Sequence, residues 1–173
     1  MSGRDAAWEG PGLARYCLQQ KWISFGDDFS VRDEQGREAY FIDGKAFSWG
    51  KKLSVQAPRG NEVAFIRQQL FSWGPTYAIE RRGEVAAVVK KELFTLFRCR
   101  FLVDVPGPND LEAVGDFLDH EYQLLRGDEV VARVSKTWFS FTDTYGIDVA
   151  RGVDDVLVLC TAVVIDLCCH QPR

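Results

Sequence analysis

The sequence predicts a mainly-β domain in which about twelve short strands enclose one apolar C-terminal helix. Three observations carry this reading: a phenylalanine-marked unit that recurs along the chain, turn signals interleaved between its marks, and a final apolar run that neither alternates nor turns. The marks are Phe25, Phe47, Phe71, Phe94, Phe117 and Phe139, and Phe-Ser-Trp-Gly stands at 47–50 and again at 71–74. Their spacings are 22, 24, 23, 23 and 22 residues. That period is shorter than the common helical repeats and suits pairs of short strands.

Between the marks lie Asp33-Glu34-Gln35-Gly36, Pro58-Arg59-Gly60-Asn61, Arg81-Arg82-Gly83-Glu84, Pro106-Gly107-Pro108-Asn109-Asp110 and Arg126-Gly127-Asp128-Glu129. Each supplies the Gly, Asn or Asp that a reversal needs at positive φ. A connection therefore falls about every 8–12 residues, the spacing of an all-β sandwich or barrel. The intervening segments 62–67, 85–90 and 130–136 are rich in β-branched and aromatic residues, as strands are. Asp43-Gly44, inside the apolar segment 40–47, is a hairpin signal.

The run 154–169 opens with Asp154 and Asp155 and is interrupted only by Thr161 and Asp166. A helix that is apolar all round must be buried all round. The two aspartates suit its N-terminus, where a carboxylate caps free N–H groups and meets the positive end of the dipole. The β-branched content would fit a buried strand equally well; run length favours a helix. A membrane span needs about 20 apolar residues, and this run meets Asp166 first. Asp166 is expected to reach a hydrogen-bonding partner or the open end of the enclosure, because an unpaired buried carboxylate is costly.

At 173 residues the chain fits one domain, expected over 15–170 after a disordered N-terminal segment, 1–14. A net charge of -4 argues against bulk electrostatic attachment to nucleic acid or to an anionic membrane surface and leaves only a local basic patch for such a role. The N-terminus lacks a basic region followed by an apolar one, and the five cysteines show no paired spacing, so a reduced, cytoplasmic protein is expected.

Five motifs in one order then resemble a known family: 44–53 (Gly-Lys-Ala-Phe-Ser-Trp-Gly-Lys-Lys-Leu), 70–77 (Leu-Phe-Ser-Trp-Gly-Pro-Thr-Tyr), 103–110 (Val-Asp-Val-Pro-Gly-Pro-Asn-Asp), 138–147 (Trp-Phe-Ser-Phe-Thr-Asp-Thr-Tyr-Gly-Ile) and 154–157 (Asp-Asp-Val-Leu). Together they strongly resemble the bacterial members of the LURP-one-related family, over nearly the whole chain from Tyr16 to His170. That family belongs to the tubby-like group, with the phospholipid scramblases. The resemblance implies a closed twelve-stranded antiparallel barrel around a central, mostly apolar C-terminal helix. Closing a sheet removes its edges and leaves an interior to fill, which agrees with the repeat count and the final run.

No catalytic motif stands out. His120 and His170 lie outside any His-Glu-x-x-His pattern, and Ser72 lacks the Gly-x-Ser-x-Gly elbow. Asp119-His120-Glu121 reads as a polar strand segment with His120 on one face and both carboxylates on the other. Cys168-Cys169-His170 lacks a complementary ligand pair at zinc-finger spacing and reads as buried thiols. No cofactor and no metal is expected. The stretch 142–154 corresponds to the acidic calcium segment of the scramblases, but Phe141 stands where the first ligand belongs if Asp143 is the third; Asp154 then reads as a helix cap. Trp49, Trp73, Trp138 and their Phe neighbours are expected to seal barrel layers at the strand bends.

The functional expectation is a non-enzymatic binding module for anionic phospholipid headgroups or a membrane-associated partner, possessing no transmembrane segment and located peripherally at the inner membrane face. Tubby-like domains include phosphoinositide binders that use basic residues on the barrel wall. By that resemblance Lys51, Lys52, Arg98 and Arg100 are the headgroup candidates, the arginines offering bidentate phosphate contacts. The competing expectation is an enzyme or small-molecule carrier with a pocket at a barrel mouth, lined by Asp119, His120 or Glu121.

Overall fold

The computed structural model describes residues 12–21, 28–47, 50–95, 98–136 and 144–170, the side chains at 45–47, 93–95 and 98 excepted. Twelve strands follow in order: β1 (Ala14–Lys21), β2 (Asp28–Asp33), β3 (Glu38–Phe47), β4 (Gly50–Gln56), β5 (Glu62–Gln68), β6 (Thr76–Arg81), β7 (Glu84–Thr95), β8 (Arg98–Asp104), β9 (Leu111–Asp116), β10 (Glu121–Arg126), β11 (Glu129–Ser135) and β12 (Thr144–Val149). Each pairs antiparallel with its neighbour in sequence, and β1 pairs with β12, Ala14 opposite Val149, so the sheet closes. The first strand begins at Ala14, one residue before the expected domain boundary.

Alternation along the strands sorts side chains between wall and lumen. On β8, Phe101 and Val103 are fully buried while Arg100, just before them on the opposite face of the pleat, is partly exposed. On β4, Leu53 and Val55 point inward, so Lys51 lies on the lumen side of the pleat and Lys52 on the outer side. At one end of the barrel the hairpin turns carry Gly36, Gly60, Gly83 and Gly127 at positive φ. The β2–β3, β4–β5, β6–β7 and β10–β11 ladders each shift register beside these turns. Such bulges add the local twist that closure requires.

The lumen is filled by α1 (Asp155–Cys169). Val158, Leu159, Cys160, Ala162, Val163, Val164 and Ile165 are fully buried on every side of it, as an all-round apolar helix requires. Its one buried hydroxyl, Thr161, donates from Oγ1 to the Leu157 carbonyl at 2.9 Å. Asp154 is the N-cap: its Oδ1 accepts from the Leu157 N–H at 3.1 Å, and both carboxylate oxygens accept from Arg81, at 2.6 and 2.9 Å. Tyr16 on β1 donates its hydroxyl to Asp155. The Asp154→Ala variant loses the cap and a half-exposed ion pair, so urea unfolding is expected to show a loss of about 1–2 kcal/mol. The Asp154 carboxylate expected to cap the helix does so, and Asp143 lies outside the described residues.

Three expectations need correction. Asp43-Gly44 is no hairpin; it lies within β3, where the Gly44 N–H donates to the Asp28 carboxylate at 2.9 Å and Gly44 pairs with Leu53. Two-residue signals say nothing of the register around them. The aromatic rings do not all seal the core either. Phe117 packs edge-on against Phe101 at 5.0 Å, but Phe71 and Trp73, on the turn between β5 and β6, are fully exposed. Trp49 and Trp138 lie outside the described residues. Finally, Asp119-His120 belong to the turn before β10 and not to a strand, although His120 alone of the three side chains at 119–121 is buried.

Candidate functional site

Antiparallel connectivity sends α1 from the end bearing the glycine turns to the opposite mouth. There its last turn presents Asp166, Cys168, Cys169 and the C-cap His170. The turn joining β9 to β10 meets them. It is held by the Asp116 carboxylate, which accepts from the N–H groups of Leu118 and Asp119 at 3.1 Å each. The turn ends at His120, whose φ of 54° is left-handed and swings its ring into the barrel. Few non-glycine residues adopt that conformation.

The three groups converge on one oxygen. His120 Nε2 stands 2.9 Å from Asp166 Oδ1, and His170 Nδ1 stands 3.3 Å from it. The imidazoles stack with centroids 4.1 Å apart, and His170 Nε2 is 2.9 Å from the Leu118 carbonyl. Burial opposes the Asp166 charge, yet the hydrogen bond from His120 and then the neighbouring His170 imidazole more than offset it, so the carboxyl is lowered below its ordinary value. The same carboxylate raises His170, against burial. The hydrogen-bonding partner expected of Asp166 is therefore present as His120, with His170 close beside it.

Tyr122 and Tyr145 complete the surroundings. Both are buried, with hydroxyls that make no hydrogen bond to the protein, and the Tyr145 ring lies 4.3 Å from that of His120. Burial first, then the Asp166 charge, raises both phenols well above their ordinary value. On the other side of the mouth Lys91 Nζ donates to the Cys168 carbonyl at 3.1 Å, where a cation meets the negative end of the helix. Burial pushes the Cys168 thiol up to about 12, with Cys169 adding and Lys91 and Lys51 opposing. Cys169 is raised to about 11 by burial. Neither is a thiolate nucleophile at neutral pH.

The headgroup candidates lie on two separate strands. Lys51 and Lys52 belong to β4, Arg98 and Arg100 to β8, and β5, β6 and β7 stand between them. Arg100 is already gripped by two carboxylates, Glu92 at 2.9 Å and Glu112 at 3.1 Å. Lys52 pairs across the ladder with Arg67, itself bridged to Glu80. The Arg98 side chain lies outside the described residues. Asp119, His120 and Glu121 do not line one cavity: Asp119 is exposed, and Glu121 accepts from Ser135 Oγ at 2.7 Å and the Lys136 N–H at 2.8 Å. A groove of about 1000 Å³ lies instead at the opposite end, beside Asn61, Arg81, Arg82 and Glu84.

Sequence reasoning did not bring His120, Asp166 and His170 together. Each stood in a separate motif, and only the turn geometry and the helix register unite them. The exposed Phe71 and Trp73 were legible as aromatics but not as surface.

A closed twelve-stranded antiparallel barrel wound around its own C-terminal helix defines the structural class of this protein. The X-ray structure of a protein from Arabidopsis thaliana has the same fold, with a TM-score of 0.67 at 15% identity over 95% of this chain and 96% of that one. A family model described as LURP-one-related matches residues 14–166, and the chain belongs to that family. The Bacillus subtilis (strain 168) protein YxjI, described as uncharacterized, is 32% identical over 150 residues, which are 87% of this chain and 90% of that protein. No described helix is long and apolar enough to cross a membrane.

Proposed function

We propose that this protein is a peripheral binding module for anionic phospholipid headgroups, docking to a membrane surface through the barrel end at which α1 terminates. The observation that carries the reading is the turn between β5 and β6: Phe71 and Trp73 are fully exposed, Leu70 is half-exposed, and Leu118 on the β9–β10 turn is exposed at the same end. Isolated aromatics at a loop tip seat well at a membrane interface, where the ring enters and the polar edge stays wet. Basic residues stand behind them. Lys51 and Lys52 lie near the start of β4, and Arg67 near the end of β5 is exposed.

Within this reading Lys51 and Lys52 are the nearer headgroup contacts. Arg100 must loosen Glu92 or Glu112 to join, and Arg98 opens the same strand. Each lysine near an anionic surface contributes about 1 kcal/mol. Co-sedimentation with phosphatidylcholine vesicles, with and without phosphatidylserine or phosphoinositide, tests it. Binding is expected to the anionic vesicles only, weakened about tenfold or more by Lys51→Glu with Lys52→Glu and comparably by Phe71→Ser with Trp73→Ser. Equal binding to neutral and anionic vesicles, or none to either, overturns the reading.

A further inference from the structure

We propose that His120, Asp166 and His170 form a binding site for a first-row transition dication of the Zn²⁺ or Fe²⁺ kind at the mouth of the barrel. The proposal goes beyond the membrane reading and does not depend on it.

Geometry is its first support. One ligand atom from each residue, Nε2 of His120, Oδ1 of Asp166 and Nδ1 of His170, lies within 4.8 Å of the others, with the two closest separations 2.9 and 3.3 Å. A metal with bonds of about 2.0–2.2 Å holds its ligand atoms about 3 Å apart. Both histidine nitrogens stand at nearly that spacing from Asp166 Oδ1.

The hydrogen-bond accounting is the second support. A carbonyl oxygen only accepts, so the His170 Nε2 that meets Leu118 O at 2.9 Å carries a proton. In the neutral ring Nδ1 then carries a bare lone pair, and it lies 3.3 Å from Asp166 Oδ1 without making a hydrogen bond. A lone pair facing a carboxylate oxygen needs a proton or a metal between them. A backbone carbonyl on the far nitrogen is the arrangement that orients histidines bound to metals. Asp166 Oδ2 and His120 Nδ1 are likewise buried without a hydrogen-bond partner, as are the Tyr122 and Tyr145 hydroxyls beside them. These are the unpartnered buried polar atoms that a polar ligand in the site would answer.

The surroundings favour a cation. The cluster sits on the last turn of α1, whose free carbonyls form the negative end of the helix dipole. Access is through His170, whose side chain is 24% exposed against 8% for His120 and 5% for Asp166. Two imidazoles and one carboxylate select transition dications over Ca²⁺ or Mg²⁺, which take oxygen ligands, and three protein ligands leave an open position. His120 is held at a φ of 54°, a strained conformation that the turn maintains and that directs its ring to this point.

The full chain, stripped by chelator and dialysed, is titrated with Zn²⁺ by calorimetry and with Co²⁺ by visible absorption. The expected result is one equivalent per chain and a Co²⁺ spectrum of nitrogen and oxygen ligation, free of thiolate charge transfer. Because an outer-sphere change already costs 10–100-fold in affinity, His170→Gln and Asp166→Asn are expected to weaken binding more than about 100-fold. Cys168→Ser with Cys169→Ser is expected to leave it unchanged. If Asp166→Asn does not fold, the partly exposed His170→Gln and the wild-type Co²⁺ spectrum decide. No stoichiometric binding by the wild type, a thiolate band, or binding retained in His170→Gln overturns the proposal.

Discussion

Replacing Gly115 by alanine is expected to destabilise the protein by about 2–6 kcal/mol, summing backbone strain of about 1–3 and overpacking of about 1–3. Gly115 lies in β9 with φ of 138°, opposite Tyr122 of β10. A methyl group there would stand 2.5 Å from the Glu121 carbonyl oxygen and 2.6 Å from the Tyr122 Cα. Both are main-chain atoms, so no side-chain rotation relieves the clash. The ladder must separate or Tyr122 must move, and Tyr122 is buried beside the His120 cluster. Urea unfolding checks this: the midpoint falls while the slope stays that of the wild type. Gly36→Ala provides the comparison. Its φ is 75° but its added methyl meets nothing within 4 Å, so only the left-handed cost of about 1–2 kcal/mol remains.

Asp166→Ala is expected to cost about 3–5 kcal/mol, the range for removing one partner from a buried ion pair. The carboxylate is 5% exposed and holds His120 Nε2 at 2.9 Å. Without it both imidazoles lose the anion that orders their stacking, and the buried His120 keeps no hydrogen-bond partner on either nitrogen. Chelator-treated protein isolates this folding effect from any gain due to bound metal, which adds stability by mass action. Unfolding followed by near-ultraviolet circular dichroism is the measurement, with tyrosine signals from Tyr122 and Tyr145 reporting the mouth directly. A loss below about 1 kcal/mol would mean that water satisfies the histidines and that the cluster is loosely held.

The wall and its plug were legible because their signals are local. Gly36, Gly60, Gly83 and Gly127 mark turns by residue type, strand alternation follows from a period of two, and 154–169 is apolar whatever surrounds it. The site was legible only in part. The demand of Asp166 for a partner followed from burial alone, but one of those partners, His120, stands 46 residues away and points inward only because the turn places it in a left-handed conformation. Arg100 read as an open cation until the register set Glu92 opposite it on β7 and brought Glu112 of β9 alongside. Phe71 and Trp73 carried no sign of their exposure, since a ring at a strand bend serves a core or a surface equally well.

The position of α1 after all twelve strands bears on how the molecule is made. Every strand leaves the ribosome before the element that fills the lumen, and at 5–20 residues per second the 15 residues of α1 take about 1–3 s to follow. Throughout that interval the inward faces of β1 to β12 have no partner. The seam between β1 and β12 joins residues as far apart as Ala14 and Val149, a contact of the long range that slows folding. Closing the wall and threading its axis are thus coupled events, and the nascent barrel is most vulnerable to aggregation in the interval before α1 joins the strands.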